Sequence, residues 1–512
     1  MEHENAIELR HVTKRFGEVI ANDDVNLSVR KGEILSILGE NGSGKTTLMN
    51  MLSGIYFPDE GQIYVDGKEV TIRSPKDSFA LGIGMIHQHF KLINILTAAE
   101  NIILGLPGKE RLKMQQVENE IIKLTKQYGF DLKPSQKIYD MSVSQKQTVE
   151  IVKVLYRGAD ILILDEPTAV LTPQETEKLF TVLRNMRQAG KSVIIITHKL
   201  NEVLELSDRV AVLRKGKYIG TVNTSQATVS SLTEMMVGEK ISLDIDRTEP
   251  VKPQKRIEMR GITCRNMEGL TILKQASFTA NSGEILGIAG ISGSGQKELL
   301  EAIAGLQQIE NGEILYYAPE GNVEKISEMK AADIRNLKIS LAFVPEDRLG
   351  MGLVGSMDLT DNMMIRSYKE GKHFFADRKK PKDLALHIVN KLDVATPGVD
   401  TPVRRLSGGN VQKVLLGREI ASNPTVLMVA YPVRGLDINS SYMIYNLLNS
   451  QKQKGVAVIC VGEDLDVLLE LCDRILVLNS GKVTGIVDAR STSKEKLGLM
   501  MTGSSKEAHT NE

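Results

Sequence analysis

Short apolar runs alternate along the chain with amphipathic stretches, which predicts buried parallel strands separated by helices. The runs at 34–38 (ILSIL), 161–164 (ILIL) and 192–197 (SVIIIT) are typical of strands that are covered on both faces. Between the last two, residues 177–191 have the spacing of an amphipathic helix that stops near Gly190. This order of strand, helix and strand predicts a βαβ unit.

Other stretches predict the layers around this α/β core. Residues 7–18 and 257–269 alternate between apolar and polar positions in the manner of antiparallel strands. Residues 111–128 have the pattern of a further helix. The patterning therefore predicts an α/β fold with an added antiparallel β layer and a helical layer.

The sequence contains an internal repeat. Residues 31–54 return as 282–305, 141–151 as 406–416, 161–172 as 426–437, and 197–217 as 462–482. A repeat of this length indicates a duplicated domain rather than a solenoid. We expect a first domain over 1–238, a charged linker over 239–256, a second domain over 257–502 and a disordered tail over 503–512.

Residues 39–46 (GENGSGKT) fit the phosphate-binding pattern G-x-x-x-x-G-K-[ST], with a predicted strand before them and a predicted helix after them. Lys45 would reach the β- and γ-phosphates, and Thr46 would offer its hydroxyl to Mg²⁺. The alternative is a glycine-rich turn with a chance Lys-Thr pair, which the flanking pattern disfavours. The predicted phosphate-loop contacts are Gly39, Glu40, Asn41, Gly42, Ser43, Gly44, Lys45, Thr46 and Thr47.

Candidate catalytic side chains follow two of the predicted strands. Asp165 would hold Mg²⁺ directly or through water, and Glu166 would orient the attacking water or accept its proton. His198 follows the next strand, where it would contact the γ-phosphate and this water; a satisfied polar residue is the alternative. The Gln88 amide would reach both Mg²⁺ and water. Phe16 would stack on adenine, with core packing as the alternative.

Composition narrows the partners and the compartment. Lys plus Arg and Asp plus Glu both total 64, so no global positive field attracts nucleic acid. The three cysteines are far apart, which disfavours a disulfide framework or a zinc site and suits a reducing compartment. The charged N-terminus does not resemble a secretory signal, and the apolar runs are too short to span a bilayer. We expect a cytoplasmic protein that contacts a membrane only through partners.

Over almost its whole length the chain resembles ATP-binding cassette (ABC) proteins, in the order of its phosphate loop, Gln88, the motifs at 141–145 and 406–410, Asp165–Glu166 and His198. The resemblance implies two tandem P-loop NTPase cassettes with RecA-like cores, ATP and Mg²⁺ as ligands, and ATPase activity with Lys45 among the catalytic residues. It also implies that Ser407, Gly408 and Gly409 start a helix and cap the γ-phosphate of ATP held by the opposing cassette.

The resemblance implies two unequal sites. In the first, only Asn410 departs from the common signature, where it replaces Gln. The second site carries Gln296 for Lys45, Lys297 for Thr46, Ala430 and Tyr431 for the carboxylates, Glu463 for His198, and Glu346 for Gln88. Its opposing signature at 141–145 lacks both glycines. We expect one working ATPase site and one site that at most binds nucleotide.

Fused cassettes with a degenerate second site resemble the importer branch that serves ribose-type sugars and nucleosides. Residues 84–92, 100–105 and 344–348 look more like the nucleoside-uptake members. In that branch the partners are two membrane permease subunits and a solute-binding lipoprotein. The resemblance places this chain at the cytoplasmic face of the membrane, with residues 89–106 and 347–368 against the permease, although ordinary core and linker is an alternative for these segments.

Three functions other than import are alternatives for a chain with these motifs. Twin-cassette ATPases that act on ribosomes are expected to keep both sites whole and to have a longer basic linker. A DNA-repair cassette protein would need zinc-binding cysteine clusters. A regulator that only binds nucleotide is disfavoured by the complete first set of motifs.

Overall fold

The computed structural model describes residues 4–87, 90–106, 113–239, 245, 247–266, 268–336, 339–368 and 377–503. The chain divides into two compact units, Met1–Ser242 and Leu243–Glu512. No helix in the described part of the chain has both the length and the hydropathy that crossing a membrane requires.

The first unit alternates strands and helices. Its strands are β1 (Asn5–Phe16), β2 (Val19–Arg30), β3 (Ile34–Leu38), β4 (Glu60–Val65), β5 (Lys68–Val70), β6 (Ile83–Ile86), β7 (Ile161–Asp165), β8 (Ser192–Thr197), β9 (Arg209–Arg214) and β10 (Lys217–Asn223). Its helices are α1 (Lys45–Leu52), α2 (Pro75–Ala80), α3 (Ala98–Ile103), α4 (Met114–Tyr128), α5 (Val143–Tyr156), α6 (Pro173–Gln188), α7 (Leu200–Leu206) and α8 (Val229–Val237), with 3₁₀ turns at Ile138–Asp140 and Thr224–Gln226.

The second unit repeats this order. Its strands are β11 (Lys255–Arg265), β12 (Thr271–Asn281), β13 (Ile285–Gly290), β14 (Ile309–Tyr317), β15 (Val323–Lys325), β16 (Leu341–Val344), β17 (Val426–Ala430), β18 (Ala457–Val461), β19 (Arg474–Asn479) and β20 (Lys482–Asp488). Its helices are α9 (Gln296–Ile303), α10 (Ala331–Asn336), α11 (Leu359–Met364), α12 (Lys379–Lys391), α13 (Gly408–Ala421), α14 (Ile438–Gln453), α15 (Leu465–Leu471) and α16 (Lys494–Thr502), with a π turn at Arg348–Gly352 and a 3₁₀ turn at Val403–Arg405.

Each unit contains a mixed sheet and an antiparallel sheet. In the first unit the orders are β10-β9-β3-β8-β7-β6 and β2-β1-β4-β5. The second unit has the matching orders β20-β19-β13-β18-β17-β16 and β12-β11-β14-β15. The predicted α/β fold with a duplicated core and an antiparallel β layer is confirmed.

The burial of β7 explains its uninterrupted apolar sequence. Ile161 and Ile163 lie in the core that includes α1 and the antiparallel sheet. Leu162 and Leu164 lie in the core on the opposite face, which includes residues of α5 and α6. Because successive strand side chains point to opposite faces, a strand covered on both sides must be apolar at every position.

A separate helical layer packs against this core in the first unit. Ile102 of α3, Val117 and Ile121 of α4, and Val149 of α5 share one apolar cluster. The helix predicted over 111–128 is observed as α4 (Met114–Tyr128), and residues 111 and 112 of the prediction lie outside the described part of the chain. The motif predicted at 141–145 lies at the start of α5.

The order of the parallel strands brings the predicted site residues to one edge. β3 pairs with β8, and β8 pairs with β7, all in parallel. The phosphate loop follows β3, Asp165 ends β7, and His198 follows β8. Since the carboxyl ends of parallel strands share one edge of a sheet, these three segments meet there.

Candidate functional site

The phosphate loop of the first unit has a backbone that only glycine accommodates at two positions. Gly44 precedes α1 with φ +95°, and a Cβ placed on it would lie 2.3 Å from the Ala21 carbonyl oxygen. A Cβ at Gly39 would lie 2.3 Å from the Leu213 carbonyl oxygen. The loop therefore approaches neighbouring backbone too closely for any other residue type.

The side chains of this loop form a polar cradle. Lys45 is 6% exposed, and its Nζ donates to the carbonyl oxygens of Gly39 at 2.7 Å and Glu40 at 2.8 Å. Burial lowers the pKa of Lys45, and the nearby carboxylates partly oppose this shift. The Ser43 hydroxyl is buried without a hydrogen-bond partner among the described residues. A buried cation, an unused hydroxyl and a helix N-terminus together fit a phosphate group.

Asp165 lies at the end of β7, close to Lys45 of the phosphate loop. Burial, followed by the charge of Glu166, raises the pKa of Asp165 to about 6. The charge of Lys45 and the side chain of Thr46 partly oppose this shift. A carboxylate and a hydroxyl beside a phosphate cradle are hard oxygen ligands, which fit Mg²⁺.

Glu166 and His198 form the second part of the site. The His198 Nδ1 lies 2.8 Å from Glu166 Oε1, and this hydrogen bond is the main cause that raises the pKa of His198. Glu166 has φ +49°, an uncommon backbone conformation for a non-glycine residue, and its N–H donates to the Ile196 carbonyl at 2.9 Å. The Glu166 side chain is only 14% exposed. This geometry holds one carboxylate oxygen of Glu166 at the histidine.

Phe16, which the sequence predicts to stack on adenine, contacts a second aromatic residue that no sequence motif indicates. Phe16 is 44% exposed, and its ring meets the ring of Tyr56 edge to face at a centroid distance of 5.1 Å. Core packing of Phe16, the alternative interpretation, does not match this exposure.

The predicted Gln88 lies outside the described residues.

The predicted signature residues lie in the second unit. Ser407 caps α13, and its Oγ accepts hydrogen bonds from the Asn410 backbone N–H at 3.4 Å and from Asn410 Nδ2 at 2.9 Å. Ser407 and Gly408 are exposed, while Gly409 is half-buried. The helix N-terminus is therefore accessible to an anion.

At the positions that correspond to the first site, the second unit repeats the backbone elements of the first but carries different side chains. Gln296 is 3% exposed and donates from Nε2 to the Ile291 carbonyl at 3.0 Å, while Lys297 extends from the helix toward Glu301. Tyr431 has φ +48°, close to the value at Glu166. Burial, reinforced by two nearby glutamates, raises the pKa of Tyr431 to about 12, so at neutral pH its phenol keeps its proton.

The raised pKa of Asp165 predicts a pH-dependent stability difference. Because the folded-state value of about 6 lies above the ordinary 3.8, ionising Asp165 destabilises the folded protein above about pH 6 but not below about pH 4. We expect Asp165→Asn to raise the melting temperature at about pH 7.5 and to leave it nearly unchanged at about pH 4. Thermal unfolding without Mg²⁺ or nucleotide measures this difference. Equal gains at both pH values would show that the carboxyl group is not responsible.

Comparisons with known proteins cover both units. A family model described as ABC transporter matches residues 22–169 and 273–432. The nucleoside import ATP-binding protein NupA of Lactococcus lactis is 41% identical, over 98% of this chain and 99% of that protein. The guanosine import ATP-binding protein NupO of Bacillus subtilis is 39% identical over 98% of each chain. The ribose import ATP-binding protein RbsA 1 of Rubrobacter xylanophilus is 36% identical over 97% of this chain and 98% of that protein.

Proposed function

This chain belongs to the ABC transporter family and is an ATPase, and we propose that it energises import of a small solute through a partner membrane permease. The solute is a nucleoside or a simple sugar, as the import functions of its full-length relatives support. The observation that carries the proposal is the convergence of Lys45, Asp165 and the Glu166–His198 pair at one sheet edge.

In the proposed mechanism, the phosphate loop holds ATP, and the Glu166–His198 pair acts at its γ-phosphate. Lys45 exchanges its two backbone carbonyl partners for β- and γ-phosphate oxygens. Phe16 stacks on adenine. Mg²⁺, held by Thr46, Asp165 and Gln88, would neutralise charge on the phosphates during hydrolysis.

Glu166 is the proposed general base. Its Oε1 is engaged by His198, so Oε2 accepts the proton of the attacking water. His198 keeps the carboxylate oriented and contributes a second polar contact to the γ-phosphate. Ser407, Gly408 and Gly409 cap the γ-phosphate with a hydroxyl, backbone N–H groups and a helix N-terminus, as the family resemblance implies.

The second unit is proposed to lack hydrolytic activity. Loss of a general base typically costs about 10²–10⁴ in rate, and loss of a positioned charge-stabilising group about 10²–10³. Tyr431 stands at the position of the base with a phenol pKa of about 12, and Gln296 replaces the phosphate-loop lysine. The glycines of the second loop remain, so this site retains at most nucleotide binding.

A comparison of the two loops tests this asymmetry. We expect Lys45→Ala to lower ATP turnover by about 10²–10³, because it removes the positive charge that stabilises the negative charge developing on the γ-phosphate during hydrolysis. The double variant Gln296→Ala with Lys297→Ala should stay within about twofold of the parent, since neither side chain contributes to hydrolysis in this proposal. Steady-state hydrolysis by the full chain, normalised to folded protein, measures both. If the double variant abolished turnover as fully as Lys45→Ala, the assignment of one active site would be wrong.

The proposed partners are two permease subunits and a solute-binding lipoprotein, with this chain peripheral at the cytoplasmic face of the membrane. The segments proposed to contact the permease carry exposed apolar side chains. Ile93 and Ile95 are 43% and 72% exposed in the first unit, and Leu349 and Met351 are 40% and 47% exposed in the second. Co-purification from the native host tests this: permease subunits support import, whereas ribosomes in their place would favour the macromolecule-directed alternative.

A further inference from the structure

The three residues that replace the water-activating groups in the second unit all face one arginine. Arg434 forms an ion pair with Glu346 and a second one with Glu463 at 3.1 Å. Its guanidinium carbon lies 5.8 Å from the centre of the Tyr431 ring. The repeat places Ala169 at the corresponding position of the first unit. The second unit therefore has a cationic side chain at a position where the first unit has alanine.

A second arginine connects this cluster to the signature segment of the same unit, Ser407–Gly409. Arg348 Nη2 donates to the Arg434 carbonyl oxygen at 2.5 Å, and Nη1 donates to the Gly408 carbonyl oxygen at 3.3 Å. The backbone of Arg348 is fixed in turn, because its carbonyl accepts from the Leu353 N–H at 2.7 Å. Because Glu346 corresponds to Gln88 in the repeat, Arg348 corresponds to Phe90, whose side chain carries no hydrogen-bond donor.

Stability does not account for this arrangement. The Arg434, Glu346 and Glu463 side chains are 55%, 37% and 47% exposed. Exposed ion pairs contribute little to folding, because water screens the charges and ordering the long side chains costs entropy. The two ion pairs have a larger effect on geometry than on stability, because a guanidinium held by two carboxylates restricts the backbone of Arg434.

We propose that Arg434 and Arg348 form a positioning network that holds Ser407–Gly409 in the conformation needed for hydrolysis. In this network the Arg434 side chain, rather than a nucleotide bound by the second unit, keeps the segment in place. This inference rests on the proposed function, in which that segment caps the γ-phosphate. Glu346 and Glu463 neutralise Arg434, and their negative charges disfavour a γ-phosphate at the same place. The signature segment is thereby held without a nucleotide in the second unit.

Steady-state ATP hydrolysis by the full chain with MgATP tests the network. Arg434→Ala and Arg348→Ala should each lower kcat by about tenfold, less than the loss of a direct donor. KM for ATP should change by less than about twofold, because the phosphate loop that captures ATP is untouched. Arg434→Lys should restore only part of the lost rate, since it keeps the positive charge but not the planar guanidinium that reaches both carboxylates. The double Ala variant should lose little more than either single variant, because both arginines act on the same segment.

Arg260 provides a matched control within the second unit. Like Arg434, it bridges two glutamates, Glu258 and Glu313, and its side chain is 52% exposed. Arg260→Ala should therefore keep the parental kcat. Melting temperatures of all variants identify any loss that comes from unfolding rather than from positioning.

The outcomes separate this inference from the proposed function. If Glu166→Gln is inactive but Arg434→Ala keeps the parental kcat, the positioning network is wrong and the proposed function stands. The network is also wrong if Arg260→Ala loses as much rate as Arg434→Ala. If Glu166→Gln keeps full turnover in the same assay, the proposed function fails, and the inference fails with it.

Discussion

Replacing Glu166 with Gln is expected to lower ATP turnover by about 10²–10⁴ while ATP binding is retained. The amide preserves the size of the side chain and one hydrogen bond, but it cannot accept a proton from water. The Glu166 side chain is 14% exposed and has one oxygen 2.8 Å from His198 Nδ1, so the other oxygen is the proposed acceptor. Single-turnover hydrolysis and equilibrium ATP binding by the full chain measure the two effects separately.

Glu177→Gln is the matched control for this prediction. Glu177 lies on α6 of the same unit, and its side chain is 62% exposed beside Arg184. The same change of carboxylate to amide there should leave both hydrolysis and binding within about twofold of the parent. Undiminished hydrolysis by Glu166→Gln would remove the general base from the mechanism and require another acceptor.

The buried strands could be predicted almost to the residue. The runs at 34–38 and 192–197 coincide with β3 and β8, and the run at 161–164 with all but the last residue of β7. These strands are covered on both faces, so the apolar run begins and ends where burial does. The boundaries of the sheet core therefore follow directly from hydrophobicity.

The helix α6 shows why a boundary was misplaced. The predicted helix begins at 177, whereas α6 begins at Pro173 because Thr172 caps it and exchanges hydrogen bonds with Glu175. The first turn of α6 is polar, so the apolar pattern that predicts the helix begins one turn after the helix itself. The T-x-x-E spacing of a capping box was the signal that would have located the start.

The local parts of the site could be predicted, but the long-range ones could not. The phosphate loop and Asp165–Glu166 are contiguous motifs with flanking patterns that show their context. Phe16 and Tyr56, in contrast, meet through folding across about forty residues, and Arg434 lies 88 residues along the chain from Glu346. Their pairing depends on tertiary structure, which neither periodicity nor spacing contains.

The two signature serines provide the sharpest test of how the two units share the reaction. We expect Ser407→Leu to lower ATP turnover by about 10², because the side chain loses its hydroxyl and blocks the helix N-terminus proposed to cap the γ-phosphate. Ser142→Leu, the same change at the matching helix of the first unit, should stay within about threefold of the parent. Steady-state hydrolysis by the two full-chain variants measures the difference.

Stability cannot produce this difference, because both serines cap helices of 14 residues. Ser142 Oγ accepts from the Gln145 N–H at 3.2 Å, and Ser407 Oγ accepts from the Asn410 N–H at 3.4 Å. Each substitution should therefore cost a similar amount of folding free energy, about 1 kcal/mol, with similar drops in melting temperature. Unequal rates with equal melting temperatures would locate the functional cap in the second unit. Equal rate losses would mean that both signatures serve hydrolysis, and the proposed asymmetry would have to be abandoned.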